Sequence, residues 1–302
     1  MQSILSALTT PKSKSEFMEC YKANKVFVVH DLKNSIQQIL DLPFLQSLDG
    51  LLNCWPHKVE AHLPNITDEA NAVEISTADA KTMFENGMGL LFNDANTISP
   101  VLTDLLNNLR REMGFSALTY GRNLIYATKA NKGTAPHFDQ NINFVIQIHG
   151  TKKWWLAPNT NVDAPLTRYT MGLSMDAELA GYATGTMPTE MPSDATEYIL
   201  KPGSMLFVPR GYWHSTEAVT DAMSLNFTFS APTWIDLFSA ALRSRLSQIP
   251  QWRATADFVS NPEHHDSVAA EFNTLLDNLS KESSHWRAER FLSATEAADD
   301  TW

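Results

Sequence analysis

The chain has 302 residues, enough for one large domain with an appendage or for two domains. Its 43% hydrophobic and 19% charged residues are ordinary for a globular protein, and eight tryptophans and fifteen phenylalanines suit a core rich in β-structure. A formal net charge of −11 argues against a general binder of phosphate backbones, leaving room only for a local basic patch.

The N-terminal MQSILSALTTPKSK has no basic start followed by a long apolar run, and no later stretch reaches transmembrane length. The expectation is a soluble cytoplasmic protein with no membrane contact. Residues 1–12 read as loose, a short helix follows from Ser15, and KVFVV at 25–29 reads as a strand. NSIQQILDLPFLQSL, capped by Asn34, carries apolar residues at helical spacing and is interrupted at Pro43. Cys20 and Cys54 are too few for a disulfide framework or a cysteine-based zinc site and read as buried reduced thiols. His57 and His62 flank the short strand VEAHL without a ligand partner at convincing spacing, so both read as structural or surface histidines.

Ser76–Glu85 predicts a helix closed by Gly87, and GLLF at 89–92 a strand. Ser99-Pro100 opens a helix whose apolar face is Val101, Leu102, Leu105, Leu106, Leu109 and Met113, ended by Gly114. From Tyr120 the texture changes to strands. NLIYATK is one, and NFVIQIHG and KKWWLAP form two more around His149-Gly150-Thr151, read as a hairpin. Residues 159–196 are rich in Pro, Gly, Thr and Met and predict a long irregular connection of a kind used to bind substrate. Strands return in EYILKPGSMLFVPRGYWHS and AMSLNFTFS. After Pro232 the pattern is helical, with Trp234, Leu237, Phe238 and Leu242 on one helix and Phe272, Leu276 and Leu279 on a second. A third includes Trp286, Phe291 and Leu292, and the tail from Glu296 is acidic and frayed. The domain reading is a buttress over 1–119, a catalytic core over 120–231 and a helical region over 232–302.

Within the core, His137-Phe138-Asp139 would project an imidazole and a carboxylate from one face of a strand. His214, in GSMLFVPRGYWHS, supplies a second imidazole. Two histidines and one carboxylate, with other metal positions open, are the ligand set of non-haem Fe(II) oxygen chemistry. A lone His-x-Asp is weak, and His214 could instead be a core histidine beside Tyr212 and Trp213. Many short strands and tight turns around such ligands suggest a jelly-roll barrel: a mainly β fold with flanking helices. A co-substrate carboxylate needs a cation, and Lys152 or Lys153 can face inward, but alternation forbids both. Thr134, Asn143, Tyr126 and Asn226 are further polar candidates.

The order and spacing of T-x-x-H-x-D-x-x-x-N-F-x-x-Q-I-x-G-x-K from Thr134 to Lys152, G-S-M-L-F-V-P-x-x-Y-W-H ending at His214, and S-L-N-F at 224–227 resemble the JmjC family of 2-oxoglutarate oxygenases within the cupin superfamily. The asparaginyl and cupin-like hydroxylases are the nearest in kind. The resemblance covers about residues 120–230. It implies a double-stranded β-helix core with His137, Asp139 and His214 as iron ligands. It assigns Lys152, assisted by Thr134, to the distal carboxylate of 2-oxoglutarate. Asn143 and Asn226 would line the pocket, and Tyr126 transfers less directly. It further implies hydroxylation of an unactivated C–H bond coupled to decarboxylation of 2-oxoglutarate to succinate and CO2. Helical C-terminal regions serve dimerisation among such hydroxylases, which implies a homodimer.

Substrate identity does not carry over, because residues 159–196 match no motif of the family. A protein side chain is the leading substrate class. The alternatives are hydroxylation of a small molecule (amino acid, peptide or natural product) and a non-oxidative metal-binding cupin. The complete ligand set and Lys152 argue against the last.

Overall fold

A computed structural model describes residues 3–63, 72–289 and 292. Its strands are β1 (Phe27–Val29), β2 (Val59–His62), β3 (Ala72–Ile75), β4 (Gly89–Phe92), β5 (Tyr120–Thr128), β6 (Gly133–Phe138), β7 (Ile142–His149), β8 (Lys152–Ala157), β9 (Tyr169–Thr170), β10 (Thr196–Leu200), β11 (Met205–Val208), β12 (Trp213–Ala218) and β13 (Ala222–Ser230). They form an eight-stranded sheet, β1-β11-β7-β13-β5-β4-β2-β3, and a five-stranded sheet, β10-β8-β12-β6-β9. From β5 to β8 and again from β10 to β13, successive strands alternate between the two antiparallel sheets, which is the jelly-roll expected from sequence.

The expected hairpin between NFVIQIHG and KKWWLAP does not form. Strand β7 pairs with β11 and β13, whereas β8 pairs with β10 and β12 in the opposite sheet. The turn is a corner between sheets, and a tight Gly-containing turn signals either outcome locally. Gly150 is obligatory there. Its φ is +69°, and a Cβ would lie 2.0 Å from the carbonyl oxygen of Asp221.

One face of the large sheet carries the main core, covered by N-terminal helices. Residues 1–12 are not wholly loose. Ile4–Thr9 is helical and buries Ile4, Leu5 and Leu8, which the short run of polar punctuation around it conceals. The next helix, Lys14–Lys22, begins with a capping box between Ser13 and Glu16. Its Phe17 is fully buried, with ring centroids 5.2–5.5 Å from Phe27, Phe144 and Phe207. Truncating a core phenylalanine of this kind costs about 3–5 kcal/mol. The helix Pro100–Glu112, capped by Ser99, buries the predicted leucines at 102, 105, 106 and 109, but Val101, expected on the same face, is exposed in its first turn.

Between the two sheets the barrel interior is divided. Val145, Trp154, Leu156, Leu200, Leu206 and Val208 form an apolar plug. Polar side chains line the rest. Outside the small sheet, Val162, Tyr169, Met171 and Leu179 pack on Phe138 and Trp213. Residues 159–196 are therefore less irregular than expected: they contain β9 and a short helix, Ala177–Tyr182.

By packing, the described residues up to Phe115 and Tyr120–Ser230 form one unit, and Ser116–Thr119 with the chain from Ala231 forms another. The second unit contains helices Trp234–Leu246, Pro250–Arg253 and His265–Ser283. Thr233 and Asp236 make a capping box for the first, and Arg245 pairs with Glu282 of the last. None of these helices has a buried residue. Phe291 and the acidic tail from Glu296 lie outside the described residues. Both cysteines are free, but Cys54 is exposed and Cys20 half-buried, so the expectation of two buried thiols fails. Among the described residues no helix is long and apolar enough to cross a membrane.

Candidate active site

His137 and His214 sit on adjacent strands of the small sheet as direct cross-strand partners. The strands approach closely because residue 133 has no side chain: a Cβ on Gly133 would lie 1.7 Å from the carbonyl oxygen of Thr216. The two imidazole rings are 4.1 Å apart between centroids. Asp139 falls just beyond the end of β6 rather than within it. It still converges with the histidines, held in part by its carbonyl, which accepts the N–H of Gly211 at 2.9 Å. Its Oδ2 is 3.6 Å from Nε2 of His214. One donor atom from each of the three residues lies within 4.8 Å of the others.

The histidine tautomers follow from their neighbours. Nδ1–H of His137 donates to the carbonyl of Ala135 at 2.7 Å, and Nδ1–H of His214 to the carbonyl of Tyr212 at 2.9 Å. A carbonyl oxygen only accepts, so each Nδ1 carries a proton and Nε2 is the nitrogen left to face a metal. Burial acts to raise the Asp139 carboxyl, but the charge of His137 and His214 when protonated and the guanidiniums of Arg168 and Arg122 outweigh it. The carboxyl is held below the usual carboxylate range. Two neutral nitrogen donors and a carboxylate on one face of a cavity are able to hold one divalent ion.

The cavity has a volume of about 1080 Å³. All eight site residues expected from sequence border it: His137, Asp139, His214, Lys152, Thr134, Asn143, Asn226 and Tyr126. Alternation on β8 turns Lys152 inward, 4% exposed, and leaves Lys153 half-buried. Nζ of Lys152 donates to Oγ1 of Thr128 at 3.3 Å and lies over the rings of Tyr126 and Trp154. Thr134 exchanges a hydroxyl hydrogen bond with Thr216 at 3.0 Å. Oδ1 of Asn143 accepts from Oγ1 of Thr228 at 2.6 Å, which leaves its amide N–H groups to donate. Oδ1 of Asn226 is buried with no hydrogen-bond partner among the described residues.

Several cavity residues were not found from sequence. Arg122 shares the inward face of β5 with Leu124 and Tyr126, so period-2 alternation could have found it once Tyr126 was placed. Arg168, 3.5 Å from Asp139, comes from the 159–196 connection, where no pattern marks it. Trp154 stacks on His214 at 5.9 Å. His57 and His62, read as ordinary histidines, both border the cavity. Lys152, Arg122 and Arg168 put cations on a cavity wall that also carries Glu60, Glu74, Asp94 and Asp139.

Comparisons with known proteins agree with this architecture. The family profile described as JmjC domain matches residues 105–237. The chain is 31% identical over 284 residues to the uncharacterized protein YxbC of Bacillus subtilis, covering 92% of this chain and 86% of that one. It is 28% identical over 178 residues to ribosomal oxygenase 1 of Gallus gallus, covering 56% of this chain and 27% of that protein. The bifunctional lysine-specific demethylase and histidyl-hydroxylase NO66 of Culex quinquefasciatus is 27% identical over 173 residues, covering 56% of this chain and 24% of that protein. The chain thus spans about a quarter of the length of these two oxygenases. Among solved structures, YcfD, a ribosomal oxygenase from Escherichia coli in complex with cobalt and succinic acid, superposes with a TM-score of 0.58 at 18% identity. That superposition covers 93% of this chain and 69% of YcfD, and shares the fold.

Proposed function

The chain belongs to the JmjC family of 2-oxoglutarate oxygenases, and from that premise we propose that it is an Fe(II)-dependent hydroxylase of a protein side chain. The observation that carries this reading is the convergence of His137, Asp139 and His214 on a cavity that also holds the buried Lys152. A protein substrate is supported by the names of the relatives, ribosomal oxygenase and histidyl-hydroxylase.

The donor set suits Fe(II), and the fixed tautomers of both histidines present the lone pairs such an ion needs. When bound, iron with 2-oxoglutarate and O2 supplies hydroxylation of an unactivated C–H bond with release of succinate and CO2. The residues of this chain do the positioning. Nε2 of His137, Nε2 of His214 and the Asp139 carboxylate would hold the ion. Lys152 binds the distal carboxylate of 2-oxoglutarate, Thr134 assists, and Tyr126 walls the same region. Asn143 and Asn226 offer amide N–H groups along the co-substrate's length. Trp154 braces the His214 ring, and the apolar plug closes one end of the barrel interior to water. The larger, polar remainder admits the target side chain.

Two copies of the chain join through the helical unit, where Trp234, Ile235, Phe238 and Phe272 are 77%, 61%, 52% and 52% exposed. The free thiols at Cys20 and Cys54 suit a reducing compartment, and we place the protein in the cytoplasm.

The test is O2 consumption and succinate release by the iron-loaded protein across peptide and small-molecule pools. Turnover should be stimulated by peptides. Stimulation by small molecules alone would overturn the substrate class and leave the oxygenase standing. Absence of succinate under every condition would overturn both. Light scattering should give twice the chain mass, and a monodisperse monomer at high concentration refutes the dimer.

A further inference from the structure

The mechanism above leaves one buried imidazole unused. His62 is 8% exposed, and neither of its ring nitrogens has a hydrogen-bond partner among the described residues. Burying both nitrogens without a partner is costly, so a retained imidazole at such a place points to a ligand. Its direction is set by strand alternation. Val59 and Ala61 of β2 enter the helix-covered core, which turns Glu60 and His62 to the opposite face, into the cavity.

Register places His62 beside the lysine end of that cavity. His62 pairs with Gly89 on β4, and Leu90 pairs with Ala127 on β5, so Gly89 lies between His62 and Thr128. Gly89 has no side chain, and a Cβ there would itself be 3.9 Å from Cβ of His62. Nothing from β4 therefore stands between the imidazole and Thr128, whose hydroxyl accepts from Lys152. A recess of about 30 Å³ adjoins the main cavity, and His62, Tyr126, Thr134 and Lys152 border both. That is room for a group about the size of a water molecule or a carboxylate oxygen.

We infer that His62 is a further binding group for the distal carboxylate of 2-oxoglutarate, donating a ring N–H beside the ammonium of Lys152. A carboxylate offers about four lone-pair sites, and Lys152 and Thr134 do not fill them. This inference rests on the co-substrate reading above, which places that carboxylate at Lys152.

The experiment is calorimetric titration of Fe(II)-loaded protein under argon, with no turnover. 2-Oxoglutarate is one ligand. 2-Oxobutyrate, which keeps the oxo-acid head and lacks the distal carboxylate, is the other. His62→Ala should weaken 2-oxoglutarate binding roughly tenfold, as expected for a lost hydrogen bond to a charged group, and leave 2-oxobutyrate unchanged. His62→Gln, which keeps a donor, should recover most of the affinity and guards against a misfolded alanine variant. In steady state His62→Ala should raise KM for 2-oxoglutarate and leave kcat nearly unaltered. Equal 2-oxoglutarate affinity in wild type and both variants overturns the assignment and spares the oxygenase. Equal loss for both ligands shows a structural role only and also overturns it. A wild type that binds neither ligand overturns the co-substrate reading together with this inference.

Discussion

Lys152→Ala separates co-substrate binding from metal binding more sharply than any other substitution. Lys152 is 4% exposed and borders the cavity, and its ammonium donates to the Thr128 hydroxyl at 3.3 Å. A carboxylate arriving there forms a charge-assisted hydrogen bond. Such bonds contribute roughly 1.5–3 kcal/mol net, so alanine should raise the dissociation constant of 2-oxoglutarate by about tenfold to roughly 150-fold. Iron affinity should change far less, because Nζ is not among the three converging donor atoms. Thermal unfolding of the ligand-free proteins checks that the variant keeps its fold. Lys153→Ala, one residue along β8 and facing the other way, should bind 2-oxoglutarate normally. Calorimetric titration of the metal-loaded proteins and thermal unfolding of the ligand-free ones make the comparison. Unchanged affinity in Lys152→Ala, with a loss in Lys153→Ala, would refute the inward register and the role together.

Replacing His137, Asp139 or His214 singly by alanine should lower iron content by more than the roughly 10–100-fold affinity loss typical of outer-shell changes, with circular dichroism unaltered. Full metal occupancy in all three purified variants would refute the triad. Gly133→Ala should cost at least about 2 kcal/mol in urea unfolding and weaken iron binding, because its Cβ would push β6 from β12 at 1.7 Å from a carbonyl oxygen. Asp221 receives hydrogen bonds from Lys129 at 2.8 Å and from the N–H of Ala130 at 2.9 Å. Burial acts to raise its carboxyl, yet these partners outweigh it and hold it below the ordinary value. A depressed folded-state value stabilises above the unfolded value, near about pH 4, and is lost as pH falls through the folded value. Asp221→Asn should therefore be less stable than wild type at pH 7, by under about 1 kcal/mol for a half-exposed pair, and equal to it in strong acid. A gap that widens on acidification would contradict the linkage.

Much of the site is legible in the sequence because its signals are local. The His-x-Asp spacing places His137 near Asp139 at the end of β6, alternation along β8 restricts the inward lysine to one of two, and motif order ties both to His214. The helix starts at Ser99-Pro100 and Ser76 depend on caps and proline, which act within a turn, and the structure keeps them. What tertiary structure decided is pairing at long range. Whether Gly150 closes a hairpin or a corner between sheets depends on Asp221, which packs against it from 71 residues away. The same holds for Arg168, which reaches Asp139 from an unpatterned connection, and for Arg122, whose face is known only once β5 is paired. His62 is the clearest case. Its sequence neighbours mark a short strand and nothing more. Only the side-by-side packing of β2, β4 and β5, with a glycine between, turns it toward Lys152, because burial and cavity walls are properties of the assembled sheet and not of any one strand.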